Sequence, residues 1–484
     1  MSTFSGLTTA NRALWAQQRA LDVTGQNIAN VNTPGYSRQR AELQSIGGNA
    51  VPAMYAVSNQ VGQGVDADKV IRIRDAFLEA RAQTEGAGTA ALTVADDTLA
   101  QIEQAFREPG TTGIQAKLTA VYTAWGDVAN HPNDQTTDGA RTAVLQTTAS
   151  LVAEVRTTSA NLDAQWTRTR DSLDAVEQDV NAKLTSIAEL NTAIKRATQA
   201  GLPVNELADK RDGLVLELAT AIGATSSPGD HGQVNVVVSG ATLVSGGQAT
   251  GLKVLGGLEQ ASAATDKPRF ITDPGGTAVA VAGTAGGKIT ALTDTIPRYQ
   301  LQLDGVARKI AAEFNGAHEG GYDKTGAKGQ PMFDGGAGTS TTDPVTGAVT
   351  VDLTKVTAAS LNLRITQPER LAAATVGPGP TSDGSNATKI AQLQNATSGA
   401  ASSYRQLIVT LGIEASVATS GLATQKVINS QVDASRESVS GVNLDEEMTN
   451  MLQFQHAYSA AARLITTIDE TLDVLINRTG RVGL

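Results

Sequence analysis

"SGVNLDEEMTNMLQFQHAYSAAARLITTIDETLDVLIN", residues 440–477, carries two interleaved apolar series. Leu444, Met451, Tyr458, Ile465 and Leu472 recur at every seventh residue, and Phe454, Ala461, Ile468 and Leu475 form the second series three places later. Apolar residues at both heptad positions predict a helix that hides a coiled-coil seam against another helix. Asn443 can cap its first turn, with Glu446 three residues on as in a capping box. The adjacent acids Asp445, Glu446 and Glu447 sit where negative charge favours the helix dipole, so they read as structural rather than as an acid–base pair.

A seam needs a partner, and the opposite end of the chain offers one. Residues 3–31 read as helix, with Leu7, Leu14, Leu21 and Ile28 at intervals of seven. The companion positions are poorer, since Gln17 and Thr24 fall where an apolar residue is wanted. The helix stops in "NIANVNTPGYSRQR", residues 27–40, where Asn27, Asn30, Asn32, Thr33, Pro34, Gly35 and Tyr36 crowd together. Proline pushes Thr33 out of helical geometry, and Pro34-Gly35 suits the centre of a type II turn. The following "YSRQRAEL" reads as extended.

Between the ends, helical periodicity covers residues 75–108, 113–129, 137–200 and 204–221. In the longest stretch Leu145, Val152, Trp166, Leu173, Val180, Ile187 and Ile194 hold one heptad position, broken at Ser159. About 60 helical residues span about 90 Å. Residues 223–288 and 319–364 turn to β-branched runs cut by Gly and Ser, which predict short strands and hairpins. Helix returns at 289–317 and 387–439. The expected fold is mainly α with a β-rich insertion, in three parts. Residues 1–70 and 438–484 form a paired coiled-coil core, and 71–222, 289–318 and 387–437 an elongated helical bundle. Residues 223–288 and 319–386 form a smaller outer β domain.

Composition narrows the function. The 484 residues hold 38 basic and 48 acidic side chains, a net charge of −10, which disfavours a nucleic-acid partner. No run approaches the roughly 20 apolar residues that span a bilayer, so no membrane insertion is expected. The first twenty residues lack the features of a cleaved signal peptide. Cysteine is absent, removing disulfides, thiolate metal sites and Cys nucleophiles together. The four histidines, His131, His231, His318 and His456, stand apart from one another and from ligand-spaced carboxylates. "GTAGGKIT" lacks the first glycine and the hydroxyl of a phosphate loop, and reads as a Gly-rich turn before a helix. "DKTGAKGQP" offers too few carboxylate oxygens for calcium, with Thr325 and Ala327 at ligand positions. The expected catalytic, cofactor and metal sites are none, and the chain does not read as an enzyme.

The two terminal stretches resemble the paired motifs of bacterial flagellar rod, hook and hook-associated proteins. "NELADKRDGLVLELA", "GQVNVVVSGATLV" and "FNGAHEGGYDKTGAKGQPMF" resemble the middle of the hook-associated protein 1 family, the hook–filament junction proteins. Arg72, Asp75, Phe77 and Leu78 in "IRIRDAFLEAR" are similar to it as well. The resemblance implies an extracellular subunit of the flagellum, exported without a cleaved signal peptide, and assembled with copies of itself into a ring or tube. It also implies contact with the flagellar hook protein, with the second junction protein (hook-associated protein 3) and with an export chaperone. The two apolar seams are then assembly interfaces whose folding is coupled to assembly, because two thin stripes return little against the entropy of ordering both ends. The alternatives are a flagellar hook or rod protein, and a non-flagellar coiled-coil surface protein.

Overall fold

The computed structural model describes residues 3–46, 62–132, 138–377 and 383–478. Parts of the expected domains, at 1–2, 47–61, 133–137, 378–382 and 479–484, lie outside the described residues. In chain order the elements are α1 (Thr3–Ala29), β1 (Gln39–Ser45), β2 (Val65–Arg72), α2 (Ala76–Phe106), α3 (Ile114–Asn130), α4 (Gly139–Gln199) and α5 (Asn205–Ile222). The strands β3 (Thr225–Pro228), β4 (Val234–Val238), β5 (Ala241–Ser245), β6 (Gln248–Ala249) and β7 (Gly251–Leu255) follow. Next come α6 (Gln260–Ala263), β8 (Arg269–Asp273), β9 (Ala278–Val279), α7 (Gly283–Thr290) and α8 (Ile296–Glu319). The short strands β10 (Phe333–Asp334), β11 (Ser340–Thr342), β12 (Val349–Val351) and β13 (Asn362–Leu363) precede α9 (Ser385–Gln392), α10 (Ala400–Ser440) and α11 (Leu444–Asp473).

Contacts divide the chain into two compact units: Met1–Ala87 with Val180–Gly251 and Lys426–Leu484, and Gly88–Asp179 with Leu252–Gln425. This differs from the three-part division read from composition. The antiparallel sheet β3-β4-β5-β6 belongs with the chain ends, not with residues 319–386. Several bonds tie it there: Gln83 on α2 bonds Ser226 on β3, Arg211 on α5 donates to Gly232 O, and a buried polar side chain on α4 makes three more. Asn191 Nδ2 donates to Val234 O at 2.7 Å and to Gly246 O at 2.8 Å, and its Oδ1 accepts from Val234 N at 3.1 Å. A buried amide so used fixes the sheet on that helix.

In the first unit α1 lies antiparallel along α11, and the β1–β2 ribbon packs on α1. A methyl group at Gly6 would sit 3.4 Å from Ile468 Cδ1 near one end of the pair, while Asn27 meets Glu447 at the other. The fully buried residues of α1 are small: Ala10, Ala16, Ala20, Val23, Thr24 and Asn27. Leu7, Leu14, Leu21 and Ile28 are half-buried beside them. The leucine row is therefore less buried than the small and polar residues beside it, some of which face the ribbon: Ala16 lies beside Val65 and Ala67 of β2, and Asn27 bonds Gln39 of β1.

The second unit has an aromatic core on α3 and α8, where Tyr122 stacks on Phe314 at 5.4 Å and Phe314 meets Phe333 edge-on at 5.7 Å. "GTAGGKIT" is helix α7 rather than a turn. A Cβ at Gly287 would come within 2.8 Å of Val94 Cβ on α2, so the glycine serves close helix packing. On α10, Val409, Ile413 and Val417 stand exposed at four-residue intervals. By length and composition one helical window within Ser385–Ile476 is sufficient to cross a bilayer, and 17% of it is buried. Ala, Gly, Ser and Thr interrupt its larger apolar residues, so it contains no unbroken apolar run.

His318 is fully buried in this unit. Its Nδ1 lies 2.6 Å from Gln330 O, and its Nε2 accepts from Ala372 N at 2.8 Å, so the neutral ring is held by both nitrogens. Burial pushes its pKa from 6.5 down to about 4. A group kept neutral in the fold contributes stability that is complete above its unfolded pKa and is lost as pH falls through the folded one. The expected loss on acidification from pH 7 to pH 4 is roughly 3 kcal/mol from this residue. Urea midpoints followed by tryptophan fluorescence check it, since Trp125 meets the His318 ring edge-on at 6.2 Å. His318→Gln should start lower at pH 7 and show a flatter profile. An unchanged slope in that variant rules His318 out as the source.

Candidate assembly site at the paired termini

The turn after α1 forms as its residues dictate. Gly35 has φ +78° and Tyr36 N donates to Thr33 O at 3.2 Å, a type II turn with Pro34 and Gly35 at its centre. Asn32, Thr33, Pro34 and Gly35 are exposed, Asn30 and Tyr36 are half-buried, and Asn27 is 1% exposed. The turn aims Asn27, Tyr36, Ser37, Arg38 and Gln39 into the first unit.

Asn27 uses its whole hydrogen-bonding capacity. Oδ1 accepts from Tyr36 Oη at 2.9 Å and from Gln39 N at 3.0 Å. Nδ2 donates to Gln39 O at 2.9 Å and to Glu447 Oε2 at 3.1 Å. Arg38 completes the junction: Nε donates to Glu447 Oε1 at 2.7 Å, Nη1 to Glu446 Oε2 at 2.7 Å, and its backbone N to Ser440 O at 2.8 Å. Both sides of the short α10–α11 connection are thus held by the turn after α1. Tyr36 is pushed up to about 12 by burial, with Asp209 and Glu447 adding, so it stays protonated as a donor.

The same turn is anchored to α5. Ser37 donates its N–H and Oγ–H to Asp209 at 3.2 and 2.8 Å, and Asn205 Nδ2 donates to Gln39 Oε1 and Val70 O, each at 3.0 Å. Arg72 bridges Asp209 and Asp212 at 2.8 Å each, and Arg74 pairs with Asp212 and Glu79. Arg436 on α10 reaches Glu79 at 3.0 Å. Burial would raise the Asp212 carboxyl, but Arg211, Arg72 and Arg74 outweigh it and hold it below the usual carboxylate range. Linked charges of this kind, desolvated and hydrogen-bonded, fix one arrangement of chain segments that are far apart in sequence.

Asn443 caps α11, accepting from Asp445 N and Glu446 N at 3.0 and 3.4 Å. The reciprocal half of a capping box gives way to a tertiary bond, since Glu446 pairs with Arg38. Glu447, read from sequence as a dipole-favouring acid, is 2% exposed and is the acceptor at the centre of the junction. Along the rest of α11 the only other buried residue is Ala461. Met451, Phe454, Tyr458, Ile465, Ile468 and Leu472 are half-buried, and Leu444 and Leu475 are exposed. The helix pair is therefore firmly held at its base and thinly covered beyond it. Among the described residues no cluster of His, Cys, Asp and Glu could hold a metal ion.

Residues 7–36 match the family described as "Flagella basal body rod protein", and 435–478 match "Flagellar basal body rod FlgEFG protein C-terminal". Those two stretches are the helix pair with its turn, and they place the fold in the class of bacterial flagellar axial proteins. Residues 99–333 match "Flagellar hook-associated protein FlgK helical domain". The chain is 30% identical to flagellar hook-associated protein 1 of Bacillus subtilis (strain 168), over 100% of this chain and 99% of that one. The corresponding Escherichia coli (strain K12) protein is 26% identical over 97% and 98% of the two chains. The solved structure of the flagellar hook junction protein FlgK from Burkholderia pseudomallei shares the fold, with a TM-score of 0.60 at 17% identity, covering 75% of this chain and 100% of that one. The chain belongs to the flagellar hook-associated protein 1 family, a family of structural subunits of the bacterial flagellum.

Proposed function

We infer that this chain is the subunit that joins the flagellar hook to the filament, and that its terminal helices are completed by neighbouring subunits. The observation that carries the reading is α11, a 30-residue helix with two buried residues, paired with a helix whose leucine row is half-covered. Such a pair returns little against the entropy of ordering it, and contacts with neighbours supply the missing burial. The assembly surfaces are Leu7, Leu14, Leu21 and Ile28 on α1 and the half-covered series on α11. The partners are copies of the chain in a ring or tube, hook protein on one side and the second junction protein on the other, with a chaperone during export. Export proceeds without a cleaved signal peptide, and the role is structural rather than catalytic. The names of the full-length relatives support this reading.

The junction around Asn27 and Arg38 narrows the segment whose order depends on assembly to the parts of α1 and α11 beyond it. Deleting the gene tests the function itself. The expected result is cells with hooks, no filaments and flagellin in the medium, restored by the intact gene. Normal filaments on the deletion strain would end the proposal.

A further inference from the structure

A groove of about 450 Å³ runs between α1 and the start of β2. Trp15 lies in it with 69% of its surface exposed, and Arg12 and Arg19 stand one turn to either side on the same helix face. Asp22 and the β2 residues Asp66 and Asp68 complete its charged rim. Arg12 donates to Gln63 O and Arg19 to Asp68 O, but neither these arginines nor the three acids form an ion pair among the described residues. An exposed tryptophan between arginines is the composition of an interface centre, not of a solvated helix face.

The complementary surface is on the same chain. Met448 and Leu452 are 58% and 55% exposed, and the helical period puts them on the side of α11 opposite Ala461 and Ile465. Asp445 flanks them on that side and Arg463 lies further along, so the stripe carries both charge signs. The helices differ in charge. α11 holds six acids against Arg463, and α1 holds two arginines against Asp22. Two copies meeting through α11 alone would set six acids against six more; the groove, whose rim also holds Asp22, Asp66 and Asp68, offers Arg12 and Arg19 to Asp445 beside Met448. A contact between unlike faces repeats from subunit to subunit, which closes a ring or propagates a helix.

We propose that the Trp15 groove receives the outward face of α11 from a second copy of the chain, with Met448 and Leu452 against the indole. The inference rests on the reading that the termini assemble. The absence of native cysteine makes the test direct. A Gln18→Cys, Gln455→Cys double variant of the full chain is expressed in the deletion strain, and intact hooks are treated with a short bismaleimide. Gln18 lines the groove and Gln455 lies beside Leu452 on the outward face, so the expected product is a ladder of dimers and higher oligomers, absent from each single variant. Trp15→Ala should lower incorporation at the hook tip roughly tenfold. Dimers without a ladder, crosslinks confined within one chain, or a crosslink to a different protein would each overturn the inference. Assembled hook tips that give no ladder remove this contact and leave the junction role standing. Filaments on the deletion strain itself remove the junction role.

Discussion

Replacing Ile465 by aspartate is expected to leave the free subunit folded and to abolish its incorporation at the hook tip. Ile465 is half-buried on the side of α11 that faces α1, well beyond the Asn27–Glu447 junction. A carboxylate there costs little while the distal helix pair is thinly covered. It costs several kcal/mol once neighbours have excluded water, because an unpaired charge is then buried. Thermal melting of the purified variant should match the parent within about 1 kcal/mol. Cells carrying it should have hooks without filaments. Ala460→Asp, exposed and off both apolar series, is the control and should assemble. A melting temperature several degrees lower in the free Ile465→Asp subunit would mean that the seam is an internal core, and normal filaments would be equally damaging.

The second large effect belongs to the junction, and here the free subunit should respond. Asn27→Asp changes one atom type in a side chain that is 1% exposed. It replaces the Nδ2 donor to Gln39 O and Glu447 Oε2 by an acceptor, and it sets two carboxylates against each other in a buried site. Unpaired acceptors and like charges together should cost on the order of 3 kcal/mol. Hydrogen exchange reads it as roughly hundredfold faster exchange in the first turns of α11, since α11 is released from the turn after α1. The defect should be full at neutral pH and shrink in acid, because a protonated carboxyl regains one donor. Asn32→Asp, in the same motif but exposed, should change nothing measurable. Equal exchange in the two variants would show that the junction does not hold α11.

Much of this architecture is legible residue by residue. The long α4 follows from its heptad row, and the stop after α1, the type II turn at Pro34-Gly35 and the Asn443 cap each follow from side chains within about four positions of one another. Propensity, capping and turn geometry act over that range. The heptad series on α11 identified the face that meets α1, and the terminal motifs pointed to the flagellar family. The leucine row on α1 marks a half-buried face, while the most buried positions of that helix are small or polar residues that a leucine period does not single out.

Only the folded chain assigns the remaining roles. Asn27 and Glu447 are 420 positions apart, and nothing local distinguishes Glu447 from Asp445 or Glu446. Its burial comes from the turn that brings Arg38 and Asn27 over the start of α11. The Ser37–Asp209 and Arg72–Asp212 bonds likewise join segments whose charges, read in sequence, look like ordinary surface residues. Asn191 gave no sign that it would bond Val234 and Gly246 of the β3–β6 sheet to α4. A polar side chain's meaning depends on whether water or a partner satisfies it, and that is settled by which distant backbone and charge the fold lays beside it.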